Sequence, residues 1–224
     1  MAVNKQSFTD VTKELREKEC QLIAVSKTKP ISDILELYNL GQKDFGENYV
    51  QELAEKQSQL PADIHWHFIG HLQSNKVKFI APFVYLIQGV DSFKLLKEIN
   101  KQAQKVNRVI DCLLQVHIAQ EETKFGFDET ELTDLFTNNK SELENLENIQ
   151  ISGFMGMASF TDDTEKVRKE FRYLKSLSDK FKKLQIDNSK LTILSMGMSG
   201  DYKIAIEEGS NMVRIGSLLF GARN

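Results

Sequence analysis

The stretch "LSMGMSGDYKIAIEEGSNMVRIGSLLFGARN", residues 194–224, decides the fold. It carries the end of one β-rich run, a Gly/Ser turn and a helix-like segment, then a second β-rich run with its own Gly/Ser turn and helix. Strand, turn and helix repeated in tandem is the unit from which parallel sheets are built. The same alternation extends back along the chain. Short β-rich runs occupy 21–27, 43–47, 64–70, 84–90, 111–118, 149–157, 191–197 and 212–216. Helical segments lie between them: "SDILELYNL" (32–40) opens on a Ser cap, and "SFKLLKEINKQAQKV" (92–106) does the same. The stretches 128–147 and 162–184 are amphipathic, and a polar helical opening runs from Ser7 to Glu19. Eight such units predict a closed (β/α)8 TIM barrel, an α/β fold, as one domain over residues 1–224 with an additional N-terminal helix. An open doubly wound sheet is the competing arrangement, but its Gly-x-Gly-x-x-Gly turn after the first strand is missing.

Composition narrows the function. The chain has 224 residues, 41% hydrophobic and 27% charged, enough to bury a substantial core in one domain. A net charge of −3 with interspersed signs provides no basic face for nucleic acid and no polybasic membrane patch. No apolar run approaches the roughly 18 residues of a membrane span, and "MAVNKQSFTD" lacks a signal-peptide layout, so a cytoplasmic location is expected. Cys20 and Cys112 are isolated and read as buried reduced thiols. No uncovered heptad or apolar stripe fixes the oligomeric state, which is left as monomer or weak homodimer.

In a barrel, chemistry gathers at the C-terminal ends of the strands. There "LIAVSKTKP" (22–30) places Lys27, with the parity of Ile23 and Val25, at the mouth. Burying an ammonium is costly unless it is neutralised, paired or consumed in a covalent bond, and desolvation lowers its pKa toward a nucleophilic amine. Two readings follow: a Schiff-base lysine, or a structural lysine paired with a carboxylate such as Glu47. Lys29 shares the parity but precedes Pro30 and is expected to be solvated. At the other end of the chain, Ser199 and Gly200 precede one short helix, while Gly216 and Ser217 precede another. Such turns after strands seven and eight of a barrel commonly hold phosphate. Arg214, with the parity of Met212 and Gly216, projects beside them. An imine-forming lysine opposite a phosphate site suits either pyridoxal phosphate or a sugar-phosphate aldolase.

At these residues the chain resembles a known family. "AVSKTKP", "FGENYVQE", "WHFIGHLQSNK", "GFMGMA", "LSMGMSGD" and "MVRIGSLLFGAR" are similar, in order and from about Leu22 to Arg223, to the pyridoxal phosphate homeostasis proteins, single-domain relatives of bacterial alanine racemase. The resemblance implies pyridoxal 5'-phosphate as cofactor, bound to Lys27 as an internal aldimine. It implies Asn48 beside the ring, a phosphate cradle of Ser199, Gly200, Gly216 and Ser217, and Arg214 at the pyridine nitrogen or the phosphate. It departs in "QVHIAQEETKFGF" (115–127), where His117 stands in place of an expected Asn.

Several expectations follow from the resemblance. A guanidinium facing the ring nitrogen donates without accepting, so the ring stays unprotonated and is a weaker electron sink. Racemisation needs acid/base groups on both cofactor faces, and the racemases take the second, a Tyr, from a separate C-terminal domain, whereas this chain stops three residues after Gly221. Tyr49 and Tyr202 are the tyrosines nearest the site residues in sequence. The expected function is a carrier of pyridoxal phosphate, acting in its homeostasis and so on amino-acid and keto-acid metabolism, with pyridoxal-phosphate-dependent apoenzymes as recipients. The alternatives are a pyridoxal-phosphate-dependent racemase or lyase, a class I aldolase, and an interaction protein without a ligand.

His65, His67 and His71 share one parity, which resembles a metal cluster. With the strand ending near Gly70 and no completing ligand nearby, the preferred reading puts His67 in the barrel interior near the cofactor, His65 at the strand's start and His71 in the loop, with no metal. "LQSNKVK" (72–78) reads as a solvated helical face, and "KSELENLE" (140–147) as an exposed helix end.

Overall fold

Runs that are apolar on both faces have to be covered on both, and the chain does this by wrapping strands into a ring and laying helices around it. The computed structural model describes residues 3–119, 125–184 and 186–221. Its strands are β1 (Gln21–Val25), β2 (Asp44–Glu47), β3 (His65–Phe68), β4 (Leu86–Val90), β5 (Ile110–Val116), β6 (Ile149–Gly156), β7 (Ser189–Ser195) and β8 (Met212–Ile215). Each pairs in parallel with its sequence neighbour, and β8 returns to β1 with Ile23 opposite Arg214, closing a TIM barrel.

The helices are α1 (Lys5–Glu17), α2 (Ile31–Asn39), α3 (Val50–Gln59), α4 (Val77–Ile80), α5 (Phe93–Lys105), α6 (Glu129–Phe136), α7 (Lys140–Glu144), α8 (Thr164–Phe181), α9 (Tyr202–Glu207) and α10 (Ser217–Phe220). Local chemistry sets their starts. The Asn4 side chain accepts from the Ser7 N–H to begin α1, Ser92 accepts from Leu95 to begin α5, and Asp128 with Glu131 forms a capping box on α6. The amphipathic stretch 128–147 is two helices, because the chain turns out of helical geometry at Thr137 after α6. Leu143 and Leu146 are buried, so 140–147 is a packed element that begins with the short helix α7 and not merely an exposed end. The 72–78 segment forms a short 3-10 turn, Ser74–Lys76, leading into α4.

Two apolar zones hold the barrel. The larger lies between strands and helices and includes Phe45, Phe68, Phe154, Phe171 and Phe181. A smaller one fills the inside with Ile23, Leu86, Leu113, Met155 and Met212. The N-terminal helix α1 packs on α10, with the Asn4 N–H donating to the Leu219 carbonyl at 2.8 Å. Cys20 and Cys112 are free thiols and both buried; burial pushes the Cys20 thiol up to about 12 and Cys112 upward as well. Among the described residues no helix is long and apolar enough to cross a membrane.

Candidate cofactor site at the barrel mouth

The strand ends place the site. β1 stops at Val25, so Lys27 is not a strand residue whose direction follows from alternation. It belongs to a turn closed by the Lys29 N–H donating to the Ser26 carbonyl at 3.0 Å, and that turn carries it to the barrel mouth half-buried. Across the barrel, Gly197, at φ 97°, lets the chain leave β7 sharply. A Cβ there would come within 2.6 Å of the Ala205 Cβ, so glycine is required on both counts. The turn that follows presents Met198, Ser199, Gly200 and Asp201, and the end of β8 presents Arg214, Gly216 and Ser217.

These residues meet at one cavity of about 410 Å³, shared with Lys27, Lys29 and Asn48. Its apolar wall includes Val25, Ile69 and Met157, with fully exposed Phe160 at the rim. Of the residues that sequence reasoning assigned to a cofactor, Lys27, Asn48, Ser199, Gly200, Arg214, Gly216 and Ser217 all line it. His67, also assigned to the cofactor, does not. Lys29, expected in solvent, is half-buried and donates to the Phe220 carbonyl at 2.9 Å. Tyr49 is exposed and Tyr202 gives its hydroxyl to Glu14 at 2.8 Å, so neither reaches the cavity.

Arg214 is the central charge. Its guanidinium donates to the Ser195 hydroxyl at 2.6 Å and to the Gly156 carbonyl at 3.0 Å. Burial lowers its pKa to about 10, against the pull of Asp201, which leaves it cationic at neutral pH. The Asp201 carboxyl is itself pushed upward by burial, although it accepts the Met198 N–H at 2.5 Å. Opposite, the Asn48 side-chain oxygen is buried with no hydrogen-bond partner among the described residues. Such an orphan acceptor costs free energy unless a donor arrives. The Gly216 N–H reaches only a long 3.3 Å contact to the Ser199 hydroxyl. A Cβ at Gly216 would press on Val25 at 3.3 Å, whereas one at Gly200 would meet nothing within 4 Å. Glycine thus brings the β8 turn close to β1 and leaves space over the β7 turn. Helices α9 and α10 have six and four residues, so the anion-attracting groups here are hydroxyls and N–H groups more than helix macrodipoles.

His67 is fully buried one layer deeper. The Gln88 side-chain amide donates to its Nδ1 at 3.2 Å, which leaves Nε2 protonated and donating to Asp44 at 3.0 Å. Ser195 donates onward to the Gln88 oxygen at 2.7 Å, so Arg214, Ser195, Gln88, His67 and Asp44 form one hydrogen-bonded chain through the barrel. Burial lowers the His67 pKa despite Asp44, and the ring is neutral at neutral pH. His65 reaches Asp44 at 3.1 Å and His71 reaches Asp91 at 2.8 Å; among the described residues no group of three metal-binding side chains assembles. Glu47, the alternative partner considered for Lys27, is fully buried and takes the Lys56 ammonium at 2.8 Å and the Ser26 hydroxyl at 2.6 Å on one oxygen. The expected departure at 115–127 lies partly outside the described residues, since 120–124 are not among them; the His117 N–H donates to the Phe127 carbonyl at 3.0 Å. Arg223 likewise lies outside the described residues.

Lys56 is the residue that sequence reasoning missed. Its i,i+4 spacing from Glu52 carries no signal of burial, and only the packing of α3 against the β1 turn reveals it.

Comparison with known proteins shows the family. The family model "Alanine racemase, N-terminal domain" matches residues 4–224. The pyridoxal phosphate homeostasis protein of Aquifex aeolicus is 44% identical over 93% of this chain and 90% of its own length. The human protein of that name is 38% identical over 100% and 85%. Among solved structures, PipY of Synechococcus elongatus with pyridoxal phosphate bound superposes with a TM-score of 0.82 at 34% identity, covering 94% of this chain and 98% of that one. The chain belongs to the pyridoxal phosphate homeostasis protein family, built on the barrel of the alanine racemase N-terminal domain.

Proposed function

We propose that this protein holds pyridoxal 5'-phosphate at the barrel mouth through the Lys27 amine and acts as an intracellular carrier. In this role it buffers the free aldehyde and hands it to pyridoxal-phosphate-dependent apoenzymes. The observation that supports this most is the convergence on one cavity of a half-buried lysine from the β1 turn, a buried arginine from β8 and two Gly/Ser turns. The donor set suits the ligand. Ser199 and Ser217 supply hydroxyls and the turns at Gly200 and Gly216 supply N–H groups for a phosphate, while the orphaned Asn48 oxygen accepts a ring hydroxyl or an amine. When bound, pyridoxal phosphate supplies a reactive carbonyl and an electron-withdrawing ring.

The protein's own groups determine how much of that reactivity is used. With the ring nitrogen beside it, Arg214 would present only donors and deliver no proton, so the ring would remain a weak electron sink. Neither Tyr49 nor Tyr202 is placed to serve as an opposite-face acid or base. Both features favour holding the cofactor over turning over amino acids.

The test is an absorption spectrum of the purified protein, followed by borohydride reduction and peptide mapping. A yellow band lost on reduction, with a pyridoxyl-phosphate mass on the Lys27 peptide, is expected. A protein left unmodified by excess pyridoxal phosphate overturns the proposal. Rapid exchange of an amino acid's α-hydrogen in deuterated water overturns the carrier role in favour of a racemase or lyase.

A further inference from the structure

The turn that carries Lys27 is strained and held from one side by a buried cluster. Thr28 has φ 64°, a left-handed conformation that is costly for a β-branched residue and persists only where surroundings impose it. Lys56, on α3 and only 5% exposed, spends its ammonium on three acceptors: the Ser26 carbonyl at 2.8 Å, Glu47 at 2.8 Å and Glu52 at 2.7 Å. Glu47 in turn takes the Ser26 hydroxyl at 2.6 Å, and the same Glu52 oxygen takes the Thr28 N–H at 2.5 Å. Both chain neighbours of Lys27 are therefore bonded to one ion cluster, while the Ser26 N–H is tied to the Gly46 carbonyl at 3.0 Å. A solvated ion pair on a helix face does none of this. The cluster grips backbone at the residue before Lys27 and the residue after it.

We propose that Lys56 is a positioning residue for Lys27, fixing the backbone from which the Lys27 amine meets the carbonyl of pyridoxal phosphate. The inference rests on the proposed attachment at Lys27. A lysine side chain has four rotatable bonds, and the benefit of anchoring its backbone lies in reducing the conformations that must be lost when a covalent bond forms. Lys56 therefore acts only on binding that passes through Lys27.

A double-mutant cycle on the full chain tests this, with pyridoxal phosphate affinity measured by equilibrium dialysis and folding checked by circular dichroism. Lys56→Met is expected to weaken binding about tenfold in the wild-type background but less than about twofold in Lys27→Ala, because the effect requires the Lys27 amine. Equal losses in both backgrounds overturn the proposal and make Lys56 a general support of the cavity, and no loss in the wild-type background overturns it too. Should Lys56→Met not fold, the partly exposed Glu52→Ala removes the Thr28 anchor and one of the three Lys56 acceptors while leaving Lys56 on Glu47 and the Ser26 carbonyl, and is expected to give about a threefold loss confined to the Lys27 background. A Lys27→Ala protein that binds as tightly as wild type and is still trapped by borohydride refutes the attachment itself, a result distinct from either outcome for Lys56.

Discussion

The inside of the barrel and its mouth are both polar, yet they are finished differently. In the interior, Asp44, His67, Gln88 and Ser195 satisfy one another in a fixed donor-to-acceptor order. At the mouth, Asn48 holds an acceptor without a partner among the described residues, and Gly216 holds a donor with only a long one. Arg214 belongs to both regions. A saturated network makes a unique, rigid core, whereas an incomplete one is a place where a ligand's groups have a favourable role. The comparison separates residues that support the barrel from residues that await a molecule.

Breaking the interior has the largest expected effect. Gln88→Leu takes the acceptor from the Ser195 O–H and the donor from the His67 Nδ1 together, and is expected to cost about 3 kcal/mol, lowering Tm by roughly 9 °C in a calorimetric scan. Acid is the next strongest probe of the same network. Because His67 has a folded pKa below its ordinary 6.5, the unfolded chain binds a proton that the folded one refuses, and stability falls as pH drops below 6.5. The slope is at most about 1.4 kcal/mol per pH unit from this residue. Burial is the largest single influence on Asp44 and raises it, but the His67 hydrogen bond, the attraction of His67 and His65 and a Gln21 hydrogen bond together outweigh it and hold the carboxyl low, so the loss continues through the carboxylate range. Urea titrations between pH 7 and 5 measure the slope, and His67→Gln is expected to flatten its upper part.

The mouth responds in the opposite sense. Asn48→Ala removes an oxygen that has no partner among the described residues, so stability is expected to stay within about 0.5 kcal/mol while pyridoxal phosphate affinity, by spectral titration, falls about tenfold. The smallest effect is expected outside both regions. Tyr202→Phe gives up only the bond to Glu14, costs about 0.5 to 1 kcal/mol and leaves the bound spectrum unchanged. A Tyr202→Phe protein with altered cofactor absorption would place that phenol in the site after all.

Much of the barrel is legible in the sequence because strand and helix alternate without a long interruption, and all eight β-rich runs become strands. The boundaries are less legible. β1 ends two residues before Lys27, since the backbone turns at a Thr with positive φ that no propensity favours. Helix α3, following "FGEN", carries no side-chain cap to announce it. Site residues close to Gly/Ser turns could be read because glycine records a backbone requirement. His67 illustrates the converse: its hydrogen-bond partners come from β2 and β4, and alternation alone shows that it points inward but not at which depth. Lys56 was hidden for a similar reason, since an i,i+4 ion pair looks the same in sequence whether water or protein surrounds it.

The seam where β8 meets β1 has a consequence for how the molecule is made. Lys27 is synthesised well before Arg214 and the turn at Gly216 and Ser217. A nascent chain lacking β8 has no closed ring and no cradle, so the cofactor has nothing to grip until β8 has been made. Once present, a ligand touching both the β1 turn and the β8 turn would latch first strand to last. Cofactor supply would then set how long each finished barrel survives, through the stabilisation that any ligand of the folded state confers.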